Sequence, residues 1–279
     1  MKLSIVIPTL GRMQQVDDLL SSIERYAVEL DLEIIIVDQN SDDRLCKFVE
    51  RHAQLNVRRV RVDFKGLSRA RNYGSRLARG QYIHFPDDDS EYVEGSLAHA
   101  IAFLDTHQDY AAVSGKVVDR EGHGTATHWA KQEQDINPGN LYGCFVEAAL
   151  VYRHDAFERF PDDVSLGVGT FHGAEEGADQ VYRMLRAGEK IRYIPTITFY
   201  HPLKVLNKCG ASEIRRIFSY RCGFALFCKK NGLWKMYAKR LVLVTGYMIF
   251  LFVTRSKKWR YYASEWCGLL SGLIVPPAE

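Results

Sequence analysis

Leu3-Ser-Ile-Val-Ile7 and Leu32-Glu-Ile-Ile-Ile-Val37 bracket the segment that decides the fold. Both are apolar, β-branched runs with a sharp stop. Pro8 follows the first, and the polar cluster Asp38-Gln-Asn-Ser-Asp-Asp43 follows the second. Such runs read as buried strands. Between them Val16, Leu19, Leu20, Ile23, Tyr26, Ala27 and Leu30 recur at intervals of three and four, the spacing of a helix with one buried face. The alternation then continues. A weaker helix is expected over about 43–53, strand residues at Val57-Arg-Arg-Val-Arg-Val62, and a helix over 68–78. Gln81-Tyr-Ile-His-Phe85 reads as a strand, followed by a helix through Leu97, Ala100, Ile101 and Leu104. Strand and helix in turn imply an α/β fold with a mostly parallel central sheet flanked by helices.

Ligands of such sheets bind beyond the carboxyl ends of the strands. Three polar clusters stand there: Thr9 to Arg12, Asp38 to Asp43, and Asp87 to Asp89. The last is three consecutive carboxylates, Asp87, Asp88 and Asp89, which repel one another. A divalent cation removes the conflict, and hard oxygen ligands suit Mg²⁺ or Mn²⁺; the bland alternative is a solvated acidic turn. The chain has no Gly-x-Gly-x-x-Gly and no Gly-x₄-Gly-Lys-Ser/Thr loop, which counts against a dinucleotide fold or a P-loop NTPase.

Beyond residue 110 the pattern changes. Ala111–Val118 and Ala148–Tyr152 read as strands, with a polar stretch at 119–143 between them and a Gly-containing loop from Asp162 to Gly173. Loops of that length in a compact domain are commonly functional. Glu175 to Gly188 reads as a helix with Val181, Met184 and Leu185 on its apolar face and Gly188 as its C-terminal cap. Glu175 and Glu176 then stand at a helix N-terminus. There they either complement the helix dipole or supply a carboxylate kept ionised for general-base work. Ile191–Tyr200 is a further strand, ending at His201.

The 279 residues allow one large domain, or one with a small appendage, and 47% hydrophobic content is ample for a core. The N-terminus lacks a signal-peptide pattern. The six cysteines form no Cys-x-x-Cys pair and read as reduced, mostly packed thiols of a cytosolic protein. Net charge is +3, but from His201 onward there are 14 Lys/Arg against 3 Asp/Glu, while residues 1–200 hold 23 against 31. A basic tail implies nucleic acid or an anionic membrane as partner, and its neighbours favour membrane. Leu241 to Val253 is 13 residues without a charge, short of the roughly 20 of a spanning helix. Lys235, Lys239 and Arg240 flank it on one side and Arg255, Lys257, Lys258 and Arg260 on the other, with Trp and Tyr nearby. A second apolar stretch runs from Cys267 to Val275. This pattern fits a monotopic, peripheral element on the inner face of the cell membrane; the alternative is a pair of core helices or a dimer contact.

Five stretches in order resemble glycosyltransferase family 2, the inverting sugar-nucleotide transferases of GT-A fold. They are Ser4-Ile-Val-Ile-Pro-Thr-Leu-Gly-Arg12, Ile36-Val-Asp-Gln-Asn-Ser41, Gly66-Leu-Ser-Arg-Ala-Arg-Asn-Tyr-Gly74, Phe85-Pro-Asp-Asp-Asp89, and Gly173-Ala-Glu-Glu176 with Arg183, Gly188 and Pro195. The resemblance implies a catalytic domain over 1–202, with a nucleotide-binding half (1–110) and an acceptor-binding half (111–202). Residues 203–279 are then a basic, apolar helical extension. It implies that Pro8, Thr9 and Arg12 line the nucleotide pocket, that Asp38 contacts the base or ribose beside Gln39, and that Arg71 and Asn72 lie near the nucleotide. Asp87 and Asp89 would hold Mn²⁺ or Mg²⁺ in an Asp-x-Asp motif, with Asp88 pointing away but still beside the nucleotide, and His201 as a further metal or phosphate contact. Glu176 takes the place of the family's catalytic Asp, with Glu175 adjacent. Gln39 and Glu176 both depart from the family's usual Asp. The implied reaction is metal-dependent, inverting transfer from a nucleotide sugar, UDP-linked by preference, to a hydroxyl of a lipid-linked glycan in polysaccharide assembly. Rival readings are a non-catalytic nucleotide-sugar or membrane-binding module of the same fold, and a nucleotidyltransferase.

Overall fold

The structure is a computed structural model describing residues 1–27, 29–202 and 207–277. The first half runs β1 (Leu3–Thr9), α1 (Gln14–Tyr26), β2 (Leu32–Asp38), α2 (Cys46–Arg51), β3 (Val57–Arg61), α3 (Leu67–Ser75), β4 (Tyr82–His84), β5 (Glu91–Tyr92) and α4 (Ser96–Thr106). Next come β6 (Tyr110–Val118), β7 (Gln134–Asp135), α5 (Leu141–Cys144), β8 (Leu150–Arg153), α6 (His154–Arg159), α7 (Glu176–Arg186) and β9 (Lys190–Tyr200). Three helices close the chain: α8 (Ala211–Asn231), α9 (Trp234–Val253) and α10 (Trp259–Ile274). Among the described residues, 1–65, 69–161 and 181–202 form one compact unit, and 66–68, 162–180 and 207–277 a second. The sequence reading assigned 162–180 to the catalytic domain.

The first unit holds a single mixed sheet in the order β3-β2-β1-β4-β8-β6-β9-β5, with β7 paired to β9. The alternating βα units of the first half give parallel pairings, β1 with β2 and β4, and β2 with β3. β8 enters antiparallel between β4 and β6, β6 and β9 pair parallel, and β5 and β7 pair antiparallel with β9, so parallel and antiparallel pairs mix beyond β4. Every residue of β1 and β2 is buried, as runs apolar on both faces require. Leu3, Ile5, Ile7, Ile34 and Ile36 pack with Val16, Leu19, Leu20 and Ile23 of α1 and with Leu97, Ala100, Ile101 and Leu104 of α4. The opposite face carries α3, whose Gly74 lies so close that a Cβ there would overlap Val6 and come within 3.0 Å of Val37 Cγ2.

His84, at the end of β4, is fully buried and stacks on Phe199. Its Nε2 donates to the Ala148 carbonyl (3.1 Å), leaving Nδ1 to accept from the Tyr92 hydroxyl (2.7 Å). Burial, the largest cause, pulls its pKa down to about 4. As pH falls below about 6.5 the unfolded chain takes up this proton and the folded protein does not, so stability declines until about pH 4. We expect His84→Gln to remove about 2 kcal/mol of the stability difference between pH 6.5 and pH 5. Urea unfolding of both proteins at the two pH values measures it; parallel curves for parent and variant would contradict the assignment.

In the second unit α8 packs on α10 through small residues. A Cβ at Gly272 would come within 2.6 Å of Cys222 Cα, and one at Gly268 within 3.0 Å of Arg221 Cβ. Glu265 is fully buried at this contact, taking Arg221 Nε (2.7 Å) and Arg240 Nε (2.8 Å). α9 is held by a narrow stripe, Tyr237, Val244 and Leu251, spaced by seven. Its outer surface exposes Val242, Leu243, Ile249, Phe250, Phe252 and Val253. The uncharged 13-residue run is therefore the end of a 20-residue helix. Among the described residues that helix alone is long and apolar enough to cross a membrane. α8 was not foreseen from the sequence.

Candidate active site

Parallel register places the ends of β1, β2 and β4 on one edge of the sheet, with Thr9 opposite Asp38 and Ile5 opposite His84. Pro86 follows at that edge, and the aspartates form a turn, not an extended segment. The Ser90 backbone N–H (3.0 Å) and hydroxyl (2.7 Å) both donate to the Asp87 carbonyl. The turn sends the three carboxylates to two different places. Asp87 and Asp89 converge with His201, which stands just past β9, and their ligand atoms lie within 4.8 Å of one another. His201 Nε2 is 3.5 Å from Asp87 Oδ2 and 3.5 Å from Asp89 Oδ1. Asp88 turns the other way, where its Oδ2 accepts from the Thr9 hydroxyl at 2.7 Å and its Oδ1 is 3.4 Å from Arg12 Nε. Arg12 also reaches Asp89 at 2.8 Å, and Arg71 on α3 lies 3.8 Å from Asp87.

These placements set the local charge. Hydrogen bonds to Asp87 and then Asp89 raise the His201 pKa to about 10, so an imidazolium balances the two carboxylates. Burial pushes Asp88 up to about 6 against the pull of Thr9 and Arg12. Two carboxylate oxygens and an imidazole nitrogen within 4.8 Å of one another are a donor set that could hold a divalent cation, with the imidazole neutral when it ligates. Asp119, Glu121 and His123 form a second such cluster on a solvent-facing turn.

A cleft of about 800 Å³ opens beside β1 and β2, lined among others by Leu10, Gln39, Asn40, Arg61, Lys65 and Tyr73. Gln39, which the resemblance puts beside the nucleotide, is one of the cleft's lining residues. Asp38 is fully buried and its carboxylate is engaged: Arg59 reaches Oδ2 (2.7 Å), while the Asn40 backbone N–H (2.9 Å) and side-chain amide (2.7 Å) donate to Oδ1. Asn40 in turn accepts from the Gly11 N–H at 2.8 Å. Of these partners Asn40 lines the cleft, and Asp38 holds it in place. Sequence reasoning missed Arg59, Asn40, Arg61 and Tyr73. The poor alternation of Val57–Val62 was the available signal, since Arg59 and Arg61 share one face of β3 beside β2. Pro8 closes β1 with Thr9, and Asn72 is buried on α3 next to Arg71.

Glu175 and Glu176 belong to the second unit. Glu176 is the first residue of α7 and is 6% exposed. Glu175 precedes it in the left-handed region (φ 72°), a conformation costly for a residue with a side chain, and its carbonyl accepts from Asp179 N–H to start the helix. Gly167, at φ 102°, brings the loop so near that a Cβ there would lie 3.1 Å from Glu176 Cδ and 2.6 Å from Ser68 Oγ. The Ser68 hydroxyl donates to the Leu166 carbonyl (2.6 Å), so the start of α3 and the loop before α7 are tied together.

The sequence profile of glycosyl transferase family 2 matches residues 4–182. The poly(ribitol-phosphate) beta-N-acetylglucosaminyltransferase TarS of Staphylococcus aureus is 28% identical over 127 residues, 44% of this chain and 22% of TarS. The GalNAc(5)-diNAcBac-PP-undecaprenol beta-1,3-glucosyltransferase of Campylobacter jejuni is 31% identical over 128 residues, 44% of this chain and 40% of that protein. The matched region thus covers less than half the length of either relative. Among solved structures, TarS 1–349 in complex with UDP-GlcNAc has a TM-score of 0.61 at 20% identity, covering 81% of this chain and 66% of that one. The mannosyltransferase PcManGT from Pyrobaculum calidifontis, in complex with GDP-Man and Mn²⁺, has a TM-score of 0.64 at 17% identity, covering 98% and 87%. These likenesses give the GT-A fold. The profile spans the sheet edge, the aspartate turn and the start of α7, and the chain belongs to glycosyl transferase family 2.

Proposed function

We propose that this protein is a metal-dependent inverting glycosyltransferase. It moves a sugar from a nucleotide sugar, UDP-linked by preference, to a hydroxyl of a lipid-linked glycan in surface-polysaccharide assembly. The observation that carries the reading is the convergence of Asp87, Asp89 and His201 at the edge where the cleft opens. Support also comes from PcManGT, solved with Mn²⁺, from TarS, solved with UDP-GlcNAc, and from the undecaprenol acceptor in the Campylobacter relative's name.

Residues 1–110 bind the nucleotide in this reading, and 111–202 take the acceptor. Gln39 presents an amide able to both donate to and accept from a uracil edge. Asn40, fixed by Asp38, shapes the wall beside it. Asp87, Asp89 and His201 hold Mn²⁺ or Mg²⁺, which when bound neutralises charge on the departing diphosphate. Glu176 removes the proton of the acceptor hydroxyl as that oxygen bonds to the anomeric carbon and the carbon–diphosphate oxygen bond breaks on the opposite face. The nucleoside diphosphate leaves and the proton stays on Glu176 until solvent takes it. Incubating the purified chain with UDP-sugars, Mn²⁺ and membranes tests this. Release of UDP is expected, whereas release of pyrophosphate from a nucleoside triphosphate would make it a nucleotidyltransferase.

The C-terminal helices dock on the inner face of the cell membrane in this reading. Only 17% of the most apolar window of α9 is buried within the fold. Its basic residues sit at both ends, Lys235, Lys239 and Arg240 before and Arg255, Lys257 and Lys258 after. Cations at both ends favour a helix lying in the interface over one that crosses. Val242→Glu with Phe250→Glu changes only exposed side chains. Losing the burial of one valine and one phenylalanine is expected to weaken binding to vesicles containing phosphatidylglycerol about tenfold or more. Unchanged co-sedimentation would exclude α9 as the contact.

A further inference from the structure

We infer that α8 is a positioning element for the general base, so that the C-terminal helices are part of the catalytic apparatus and more than an anchor. This rests on the reading of Glu176 as the base. Residues 170–175 lead into α7 without regular secondary structure of their own, and α8 supplies their footing. The Gly173 N–H donates to the Ser219 carbonyl at 3.0 Å, and the Ser219 hydroxyl reaches the carbonyls of Phe171 (3.1 Å) and Thr170 (3.2 Å). One turn further along α8, Gly223 lies against the backbone of Ala174. A Cβ at Gly223 would overlap the Ala174 carbonyl oxygen and come within 2.8 Å of its nitrogen. Only a residue without a side chain lets two backbones meet this closely. At the far end of α8 the Asn231 amide donates to Asp179 Oδ1 at 3.0 Å, and Lys230 pairs with both Asp179 (3.2 Å) and Asp163. Asp179 is fully buried and lies one turn into α7 from Glu176.

The path from α8 to the carboxylate is therefore short and made largely of backbone. Ser219 and Gly223 fix 170–174, and Asp179 pins the first turn of α7. Between these fixed points Glu175 is held in the left-handed conformation that aims Glu176. A shift of 170–174 by an ångström moves the base out of reach of a hydroxyl, and errors of that size are costly when geometry limits the rate. Ser219 and Gly223 touch no substrate in this scheme; they act through Glu176.

Gly223→Ala is the direct test, because alanine favours the helix over glycine and any loss must come from the displaced loop. The full chain is compared with Gly223→Ala, Ser219→Ala, Glu176→Gln and the control Ser212→Ala on the exposed face of α8. Turnover of the nucleotide sugar, UDP affinity with Mn²⁺ by calorimetry, and hydrogen exchange of 170–180 are measured together. We expect Gly223→Ala to lose tenfold or more in turnover and Ser219→Ala several-fold. UDP affinity should stay within twofold, faster exchange should be confined to 170–180, and Ser212→Ala should match the parent. A general loss of structure would lower UDP affinity as well. If Gly223→Ala does not fold, Ser219→Ala decides. Parent-like turnover in these variants, beside an inactive Glu176→Gln, would refute the positioning role. Full activity in Glu176→Gln would instead refute the base.

Discussion

Glu176→Gln is expected to abolish sugar transfer while leaving the fold and nucleotide affinity intact. The exchange keeps the shape of a side chain that is 6% exposed and removes its capacity to take a proton. General-base catalysis contributes about 10²–10⁴-fold, and turnover should fall by at least about a hundredfold. Glu175→Gln should cost far less, because Glu175 is partly exposed and its contribution to the site is its backbone conformation. The measurement is UDP release with Mn²⁺ at saturating donor, alongside UDP binding. A Glu176→Gln enzyme at parental rate would move the base to Glu175 or to another residue. A parallel loss of UDP affinity would mean that the substitution had disturbed the fold.

Asp89→Asn is expected to lower turnover about a thousandfold and to lose measurable Mn²⁺ binding. One carboxylate fewer removes a charge from the ion's donor set, and Lewis-acid stabilisation of a leaving diphosphate is worth several kcal/mol. Arg12 adds to the effect: it now divides itself between Asp88 and Asp89, and in the variant only the Asp88 pairing keeps a full charge. Chelation of the parent should reproduce the loss, and added Mn²⁺ should restore the parent but not the variant. Manganese titration followed by electron paramagnetic resonance gives a readout independent of turnover. Asp88→Asn supplies the contrast. Its carboxylate faces Thr9 and Arg12, so Mn²⁺ affinity should stay within a few fold. Equal loss of Mn²⁺ in both variants would mean that the turn rearranges to offer Asp88.

Much of the first half of the chain was legible because its information is local. β1, α1, β2 and β4 announce themselves by apolar runs and three-four spacing, and the structure reproduces them within a few residues. α8 was not legible, since Cys222 to Cys228 are all buried. That stretch of two turns, covered on every side, has no polar face and so no periodicity to read. The length of α9 was misjudged for a related reason. Lys235, Lys239 and Arg240 broke the apolar run, although helix geometry carries such side chains without ending the helix. Asp38 was assigned from its motif. Its partner Arg59 is 21 residues away on a neighbouring strand, and only strand pairing brings them together.

The sequence by itself determined the α/β core, the family, and the positions of the aspartate triplet and the Glu175-Glu176 pair. Each of these depends on residue type at short spacing. The resemblance already grouped Asp87 and Asp89 with His201; tertiary structure decided how they meet and where Asp88 goes. A four-residue turn sends Asp87 and Asp89 to His201, more than a hundred residues away in sequence, and Asp88 to Thr9. It also decided that the segment bearing Glu176 is built on α8. No local pattern carries that information, because a glycine in a helix reads as a defect until another backbone is seen lying against it.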